Sequence, residues 1–400
     1  MSSVSIEDKM DATPMQLLEA LANDPVVRED PYPLYRNARA MGEVLSLGNG
    51  FFVASGYRAA ETVLRSPKFQ KVPPDGATRR RSVFDPDYPT SMLFLDPPEH
   101  SRLRRAVAGY FVPSQVSAML TAIGDCAKDL VGSLVAKGGG DFVEEVSAKL
   151  PIRVISSMLG VPSKEGEALR ASVAIVARSL DLGSEFDPVS SSELAVAGAE
   201  LLGYFSDLIA QDSSGATMLA RMQHGSDPLS AKESAVMALL LFMAGFETTA
   251  NLISSMIFMI STDDGIAAQV NAREADIPAL VEEFLRLEAP VQLDGRVAGG
   301  DLDLAGVRVP RGSFVMTLIG AANRDAEIFA NPDQFLPSRR DATVLSFGAG
   351  IHHCLGAALA RAEARAVLSC VRELGRPRLV SARRKPSLTL RGFESLVVEV

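Results

Sequence analysis

The stretch FGAGIHHCLG, Phe347 to Gly356, decides how this chain is interpreted, and it runs directly into a segment with helical spacing. Cys354 lies just before that predicted helix, on a loop with glycines at 348 and 350. Glycines allow backbone conformations that point amide N–H groups at the sulfur, and a helix N-terminus favours an anion. Both effects lower a thiol pKa, so we expect a thiolate at Cys354. Gly356 has no side chain and would let a flat macrocycle lie close to the helix.

The pattern F-G-x-G-x-H-x-C-x-G resembles the haem loop of the cytochrome P-450 family at every fixed position. The resemblance implies a mainly α-helical fold with small antiparallel β-sheets, and haem b as cofactor. It also implies that Cys354 is the axial thiolate ligand of the haem iron, which pushes electron density onto iron and favours O–O cleavage. Phe347, Gly348, His352 and Gly356 are then expected to contact the haem.

Composition and charge limit the class of protein. Of 400 residues, 47% are hydrophobic and 22% charged, which suffices for a sizeable core. No linker-like stretch lies near the middle, so we expect one domain over residues 1–400, with a flexible N-terminus at 1–20 and no fused reductase. The net charge of -9 argues against a nucleic-acid partner.

Cysteine content and hydropathy bear on the compartment. Three cysteines are too few for a disulfide framework, and the N-terminus lacks a signal-peptide pattern, so we expect a cytoplasmic protein. Cys126 and Cys370 are interpreted as buried free thiols, and a free thiol is also the alternative for Cys354. The apolar stretch from Ala235 to Ile260 contains Glu247, which would be costly in lipid, so we predict a buried helix and no membrane span.

Helical spacing recurs along most of the chain, and strand signals cluster towards its ends. A hairpin is predicted to turn at Gly48 to Gly50, small strands are predicted from Arg296 to Ile319, and a closing strand pair is predicted in SLTLRGFESLVVEV, turning at Gly392. Predicted helices begin near Asp96, as a cap, and cover Tyr57 to Leu64, Pro113 to Ala136, Leu150 to Leu159, Ser163 to Leu180, Ser191 to Gln211, Ser230 to Ser261, Ile277 to Leu287 and Gly356 to Leu374.

The segment EEFLRL places Glu283 and Arg286 at helical i, i+3 spacing, where they can form a charge-assisted pair. Such a pair is common on solvated helix faces. The segments that follow, AANRD and FLPSR, resemble the family's Glu-Arg-Arg network, with Arg339 as third member and a structural role. One departure is Ala326, where the family commonly has proline after Asn-Arg-Asp.

The segment AGFETT, Ala244 to Thr249, interrupts the long apolar helix with polar groups. A mid-helix threonine can bond back to the preceding turn, and beside Gly245 this would open the helix locally and admit water. The structural alternative is a simple kink. By resemblance, this segment crosses the distal haem face with Ala244 against the haem, and Glu247 and Thr248 are the acid and alcohol that deliver protons.

A haem carries two propionates, which need cationic or hydrogen-bonding partners. Four residues match the family by motif position, although each alone would more often be an ordinary surface residue. They are His100 and Arg104 on the DPPEH helix, Arg296 at the end of VQLDGR, and His352.

The resemblance also places a substrate pocket above the haem. Its expected members are mostly apolar, so we expect a hydrophobic small-molecule substrate. They are Leu240, Met243, Ala244 and Thr248, then Val291, Gln292 and Leu293, then Leu390 or Phe393, with Phe84, Met92 and Leu93 as weaker candidates.

The implied activity is that of a monooxygenase that inserts one oxygen atom from O2 into this substrate by hydroxylation or a related oxidation. Electron transfer is expected from a separate iron-sulfur ferredoxin and an NAD(P)H-dependent ferredoxin reductase, to a chain expected to be monomeric. Arg102, Arg105 and Arg361 could provide a basic docking surface for the ferredoxin.

Two rival functions stay open. A haem peroxygenase would use hydrogen peroxide in place of O2 and electrons, but such enzymes tend to lack the acid and threonine found at Glu247 and Thr248. A haem-binding sensor would turn nothing over, but no output domain or nucleic-acid motif accompanies the site.

Overall fold

The computed structural model describes residues 13–75, 88–181, 191–212, 217–224, 227–340 and 342–400. Helices dominate this part of the chain, as predicted. In chain order they are α1 Pro14–Asn23, α2 Pro25–Glu29, α3 Tyr32–Met41, α4 Tyr57–Arg65, α5 Glu99–Ala108, α6 Pro113–Ala136, α7 Lys149–Leu159, α8 Ser163–Ala168, α9 Arg170–Arg178, α10 Ser191–Gln211, α11 Met218–Met222, α12 Ala231–Thr262, α13 Asp264–Asn271, α14 Ile277–Leu287, α15 Ile319–Ala322 and α16 Ala357–Leu374. Two 3-10 turns, Met92–Phe94 and Gly350–His352, and a π-helical turn, Val143–Ser147, join them.

The strands, which form small sheets, are β1 Val44–Gly48, β2 Phe51–Ala54, β3 Phe69–Gln70, β4 Gly139–Asp141, β5 Leu293–Ala298, β6 Leu302–Leu304, β7 Val307–Val309, β8 Phe314–Leu318, β9 Arg378–Arg384 and β10 Phe393–Glu399. A five-stranded sheet has the order β1-β2-β8-β5-β3, and a three-stranded sheet has the order β4-β10-β9. Among the described strands, all pairings are antiparallel except that of β2 with β8, which is parallel. Strands β6 and β7 form a separate two-stranded sheet.

Helix α12 runs through the centre of the fold. Ser230 caps it in a capping box with Glu233, which satisfies two backbone amides at its start. It packs against α7, α10, α13 and α16, so apolar residues are needed all around it. Its length and hydropathy would suit a membrane span, but 83% of that stretch is buried inside the protein, as in a core helix.

The structure differs from three predictions made for the N-terminal half of the chain. Residues 14–20, predicted as part of a flexible N-terminus, lie in α1, whose start is capped by Thr13 and Gln16 in a capping box, and residues 1–12 lie outside the described residues. Asp96 does not cap α5 with its side chain, because its carboxylate accepts the backbone N–H groups of Lys71 and Val72. The single helix predicted from Ser163 to Leu180 is two helices, α8 and α9, because α8 packs on α7 whereas α9 packs on α10 and α12.

The prediction of a closing strand pair is also partly wrong. The partners of β10 are β4 and β9, not the SLTL segment before Gly392. In that segment Leu388 and Thr389 donate their backbone N–H groups to the Asp181 carboxylate, and Leu390 forms one isolated bridge with Val291. The hydrogen-bond partners of this segment's backbone are therefore the Asp181 side chain and the loop at Val291. The alternation of apolar and polar residues in the segment does not reveal either partner.

Candidate active site

A cavity of about 420 Å³ lies between α12 and the loop that carries Cys354. Its walls include α5, α12, the loop from Ser346 to Gly356, the first turns of α16, and the chain from Pro290 to Val297. The sequence motifs, which are far apart along the chain, therefore meet at one place.

The cysteine loop is held by its own backbone. The Cys354 N–H donates to Phe347 O at 2.8 Å, and Gly348 and Gly350 have φ of 66° and 69°, values that disfavour other residues. A Cβ at Gly350 would lie 2.6 Å from Leu64 O, so only glycine lets the loop rest on α4. A Cβ at Gly356 would meet no protein atom within 4 Å, and that position opens into the cavity.

The electrostatics of Cys354 differ from the prediction. Burial raises the pKa of its thiol, while the Gly356 N–H and the guanidinium groups of Arg104 and Arg361 lower it. The predicted low pKa is therefore wrong in net direction for the protein groups alone, because burial outweighs the amide and the two cations. A metal ion deprotonates a coordinating thiol outright, so this shift does not conflict with ligation.

Helix α12 presents Ala244 and Thr248 to the cavity opposite the cysteine loop. The Thr248 hydroxyl donates to Ala244 O at 3.0 Å, the back-bond expected of a mid-helix threonine. The helix nevertheless stays continuous here, so the predicted opening is not seen. Gly245 has another role, since a Cβ there would lie 3.0 Å from Ile155 Cγ1 of α7.

Glu247 is buried beside Thr248, and its carboxylate pairs with the Lys385 ammonium group. Behind it lies a second cavity of about 360 Å³, whose wall includes Arg170, Asp181 and Lys385. The two cavities share Ala177, Glu247 and Leu390 in their linings. Glu247 therefore stands in the wall between the main cavity and a second cavity that also has charged side chains in its lining.

One end of the main cavity is polar. The rings of His100 and His352 lie 4.3 Å apart. Burial lowers the pKa of both histidines, and that of His352 falls to about 3. The Arg296 guanidinium also lowers both pKa values. Both histidines are therefore neutral at pH 7. Among the described residues, neither His100 Nδ1 nor His352 Nε2 has a hydrogen-bond partner.

Lys71 and Asp294 join this polar end, and the sequence did not point to either. The Asp294 carboxylate lies 2.6 Å from Lys71 Nζ and 2.6 Å from Arg296 Nη1. Asp294 and Arg296 are two residues apart on β5, so they face the same side of the sheet. Burial lowers the pKa of Lys71 to about 8, so the lysine is mostly charged at pH 7.

These residues fit a haem. Unpartnered histidine nitrogens and buried cations lie at one end, which suits carboxylate groups, and a thiol lies beside an apolar cavity that crosses the fold. The predicted partners His100, Arg104, Arg296 and His352 all line that cavity. Arg104 also donates to His353 O at 2.7 Å and so ties α5 to the cysteine loop.

Replacing Lys71 tests this polar end. Lys71→Met is expected to speed haem loss to an excess of apomyoglobin about tenfold, as the loss of one charge-assisted hydrogen bond of about 1.5 kcal/mol would do. Lys68→Met, at an exposed position nearby, is the matched control. Equal rates of haem loss in both variants would remove Lys71 from the site.

The predicted Glu283, Arg286 and Arg339 are in contact. Glu283 accepts two bonds of 2.8 Å from Arg286 and one of 3.0 Å from Arg339 Nε. The second Arg286 terminal nitrogen donates to Asn323 O and Pro332 O, so α14 is tied to the chain that leads into the cysteine loop.

Most predicted pocket residues line the main cavity, but two do not. Val291 and Leu293 face it, and Gln292 between them points away, with Nε2 donating to Ala289 O at 2.7 Å. Phe393 packs instead on Phe258 of α12, with ring centroids 4.8 Å apart, and lines the second cavity. Phe84 lies outside the described residues. The predicted residues that do line the cavity are Leu240, Met243, Ala244, Thr248, Val291, Leu293, Leu390, Met92 and Leu93.

The proposed docking arginines all have acidic partners. Arg102 pairs with Glu99 and Glu233, Arg105 lies 3.9 Å from Asp227, and Arg361 pairs with Glu282. These pairs reduce the positive charge that the three arginines can offer to an acidic protein.

The fold and this site define a haem protein with a cysteine thiolate ligand. The family model described as cytochrome P450 matches residues 277–373. The putative cytochrome P450 140 of Mycobacterium tuberculosis is 33% identical over 363 residues, which cover 86% of this chain and 82% of that protein. The chain therefore belongs to the cytochrome P450 family, it is a monooxygenase, and its cofactor is haem b.

Comparison with solved structures agrees with this family assignment. CYP164A2 of Mycobacterium smegmatis matches with a TM-score of 0.87 and 32% identity, over 96% of this chain and 100% of that one. P450BioI, in complex with an acyl carrier protein ligated to hexadec-9Z-enoic acid, matches with a TM-score of 0.87 and 29% identity, over 94% of this chain and 100% of that one. The predicted fold class is confirmed.

Proposed function

We propose that this chain inserts one oxygen atom from O2 into a hydrophobic small molecule, with electrons from a separate ferredoxin and an NAD(P)H-dependent reductase. The proposal depends on one observation above all: the apolar cavity has Cys354 on one side and Glu247 with Thr248 on the other. We also place the reaction in the cytoplasm, since the three cysteines are free.

The chemistry divides between cofactor and protein. When bound, the haem supplies oxygen activation and oxygen insertion. Cys354 would hold the iron as a thiolate, and His100, Arg104, Arg296 and His352 would orient the macrocycle through its propionates. The apolar wall from Leu240 and Met243 to Leu293 and Leu390 would exclude water and position the substrate.

Proton delivery is assigned to Glu247 and Thr248. The Glu247 carboxylate is held by Lys385 at the wall between the two cavities, so it can exchange protons with groups in the second cavity. Rotation of its side chain towards Thr248 would carry a proton to the haem side. The Thr248 hydroxyl, fixed by Ala244 O, is oriented to hold a water molecule in the cavity.

Glu247→Gln tests this assignment. It is expected to lower product formation about 10-fold to 100-fold, the usual contribution of a positioned acid, and to enlarge the solvent deuterium isotope effect on turnover. Glu274→Gln, at an exposed loop position, is the control. Wild-type turnover with an unchanged isotope effect would remove Glu247 from the proton route.

The substrate class has some support from relatives. P450BioI is bound to a carrier protein ligated to hexadec-9Z-enoic acid, and CYP109E1 of Bacillus megaterium is in complex with testosterone. Both molecules are large and mostly apolar, in keeping with the lining of the main cavity here. We therefore expect a fatty-acyl chain or a polycyclic skeleton of similar size.

The function is tested with the haem-loaded protein, hexadec-9Z-enoic acid and testosterone as probes, and a surrogate ferredoxin with its reductase. Spectral displacement of the iron-bound water, followed by NADPH-dependent product, supports the proposal. Product with hydrogen peroxide alone and none with NADPH would indicate the peroxygenase. Binding without product under either condition would indicate the sensor.

A further inference from the structure

The second cavity, of about 360 Å³, holds neither haem nor substrate in the proposed mechanism. It lies between α9, α12 and the chain from Lys385 to Glu394 that joins β9 to β10, and its wall on the side of the main cavity includes Glu247 and Leu390. Its volume is that of a pocket for a small molecule. The fold therefore has room for a second ligand beside the haem cavity.

The charged side chains of this cavity balance one another. Among the described residues of its lining, three are basic and three are acidic: Arg170, Arg178, Lys385, Asp181, Glu247 and Glu394. Each acid has protein partners. Asp181 accepts the backbone N–H groups of Leu388 and Thr389, Glu247 pairs with Lys385, and Glu394 pairs with Arg383. Because the formal charges cancel, a buried charge on a ligand would cost desolvation without a net attraction in return, so a neutral ligand fits best.

Apolar side chains form much of the remaining wall. Phe246 and Ala250 of α12 line it, together with Val143, Leu390 and Phe393, and all five are buried. The two aromatic rings offer a large apolar surface to a flat or polycyclic skeleton. Removing such a skeleton from water would supply most of the driving force for binding.

Asn251 adds an unpaired donor to this wall. Its side chain is 1% exposed, and its Nδ2 atom is buried without a hydrogen-bond partner among the described residues. A Cβ at Gly392 would overlap the Asn251 side chain, so glycine there lets the amide fit between α12 and the chain that follows β9. A buried N–H group without an acceptor lowers the stability of a protein. An acceptor oxygen brought by a ligand would satisfy it.

Ser387 adds a second donor to the same lining. Its Oγ atom accepts the Leu390 backbone N–H at 2.9 Å, which leaves the hydroxyl proton to be donated. Two donors, Asn251 and Ser387, therefore lie in the wall of a cavity whose acids already have protein partners. The chemistry that this lining lacks is a neutral acceptor, such as a carbonyl oxygen.

We propose that the second cavity is a binding site for a neutral, apolar molecule with a carbonyl oxygen. That oxygen accepts a hydrogen bond from Asn251 Nδ2, and the skeleton packs on Phe246 and Phe393. The inference goes beyond the proposed oxygen insertion and does not depend on it. A molecule bound there lies against Glu247 and Leu390, and so beside the main cavity without entering it.

Crystals of the haem-loaded wild-type protein, soaked with 6-bromo-1-tetralone, test the location. This probe is a neutral two-ring ketone, and its bromine marks its position by anomalous scattering. We expect bromine in the second cavity, with the carbonyl oxygen within hydrogen-bond distance of Asn251 Nδ2. Bromine confined to the main cavity or to the surface, or found nowhere, would overturn the proposal. This result decides the location even if a variant fails to fold.

Equilibrium dialysis with 1-tetralone tests the site in solution, with the main cavity of the haem-loaded protein filled by econazole, an azole that ligates haem iron. Ala174→Trp, at an exposed position of α9 on the rim of the second cavity, should block it and weaken binding about tenfold or more. Ala171→Trp is the matched control, because Ala171 is exposed on the same helix and is not among the lining residues. It should bind 1-tetralone as wild type does.

The carbonyl is tested by comparing 1-tetralone with tetralin, the hydrocarbon of the same skeleton. In Asn251→Ala the affinity for 1-tetralone relative to tetralin should fall about fivefold, as the loss of one hydrogen bond would do. Ser255→Ala removes another buried polar atom of α12 that has no partner among the described residues, one turn later and outside both linings, and should keep the wild-type ratio. An unchanged ratio in Asn251→Ala, or full binding in Ala174→Trp, would overturn the proposal.

Discussion

Cys354→Ala is expected to abolish the red-shifted Soret band that thiolate ligation gives the ferrous carbon monoxide complex of the haem-loaded protein. Its sulfur is the one thiol among the described residues that line the cavity. The His352 ring would not replace it as a ligand, because it packs against His100 at the polar end of the cavity. Loss of the band should be complete, and NADPH-dependent product should fall to background. The measurement is the absorption difference spectrum on adding carbon monoxide to the reduced protein.

The other cysteines provide matched controls. Cys126 and Cys370 are partly buried among packed helices, and burial raises the pKa of both thiols. Cys126→Ala and Cys370→Ala should therefore keep the full band. A normal band in Cys354→Ala, or its loss in either control, would contradict the assignment of the haem ligand.

The sequence could predict these features because each is encoded locally. A glycine-rich turn before a helix is sufficient to place Cys354 at the start of α16, and alternation along β5 puts Arg296 on the cavity side. Helix bounds followed from caps and apolar spacing, as the Ser230 capping box shows for α12. Most local features were therefore predictable, although the single helix predicted from Ser163 to Leu180 and the Asp96 cap were wrong.

Contacts made across the fold were not predictable in this way. Lys71 and Asp294 are far apart in sequence, and nothing near either residue shows that they meet at 2.6 Å beside Arg296. Lys385 follows β9, and its pairing with Glu247 depends on how the β9–β10 hairpin packs on α12. The same packing takes Phe393 away from the main cavity, where the sequence had placed it.

Burial is the other quantity that motifs do not give. The loop pattern predicted a lowered pKa for the Cys354 thiol from its amides and helix end, but the depth of the cavity raises it. Glu363 looks like any charged helix residue in ARAEAR, and only packing by α6, α12 and α14 shows that it is buried without a partner among the described residues. Both cases depend on the desolvation of a charge, which requires the whole fold.

Glu283→Gln is expected to have the largest effect on folding. Glu283 and Arg286 are 3% and 1% exposed, and the carboxylate also holds Arg339 and the backbone N–H of Leu336. The glutamine would leave buried guanidinium charge uncompensated, a change that costs about 3 to 5 kcal/mol. Because the segment after α14 leads to the cysteine loop, haem retention should fall together with stability. Unfolding in urea, followed by circular dichroism and by Soret absorbance, measures both.

Glu282, the residue next to Glu283, provides a matched control for this variant. Glu282 is on the same helix turn and pairs with Arg361, but its side chain is 39% exposed and that of Arg361 is 24% exposed. Glu282→Gln removes the same charge from a solvated pair, which contributes about 1 kcal/mol or less. The two variants differ in burial and in the number of groups held, not in the chemistry of the change. Equal losses of stability would show that the Glu283 network does not hold the loop, and the scaffold role given to Arg286 and Arg339 would have to be abandoned.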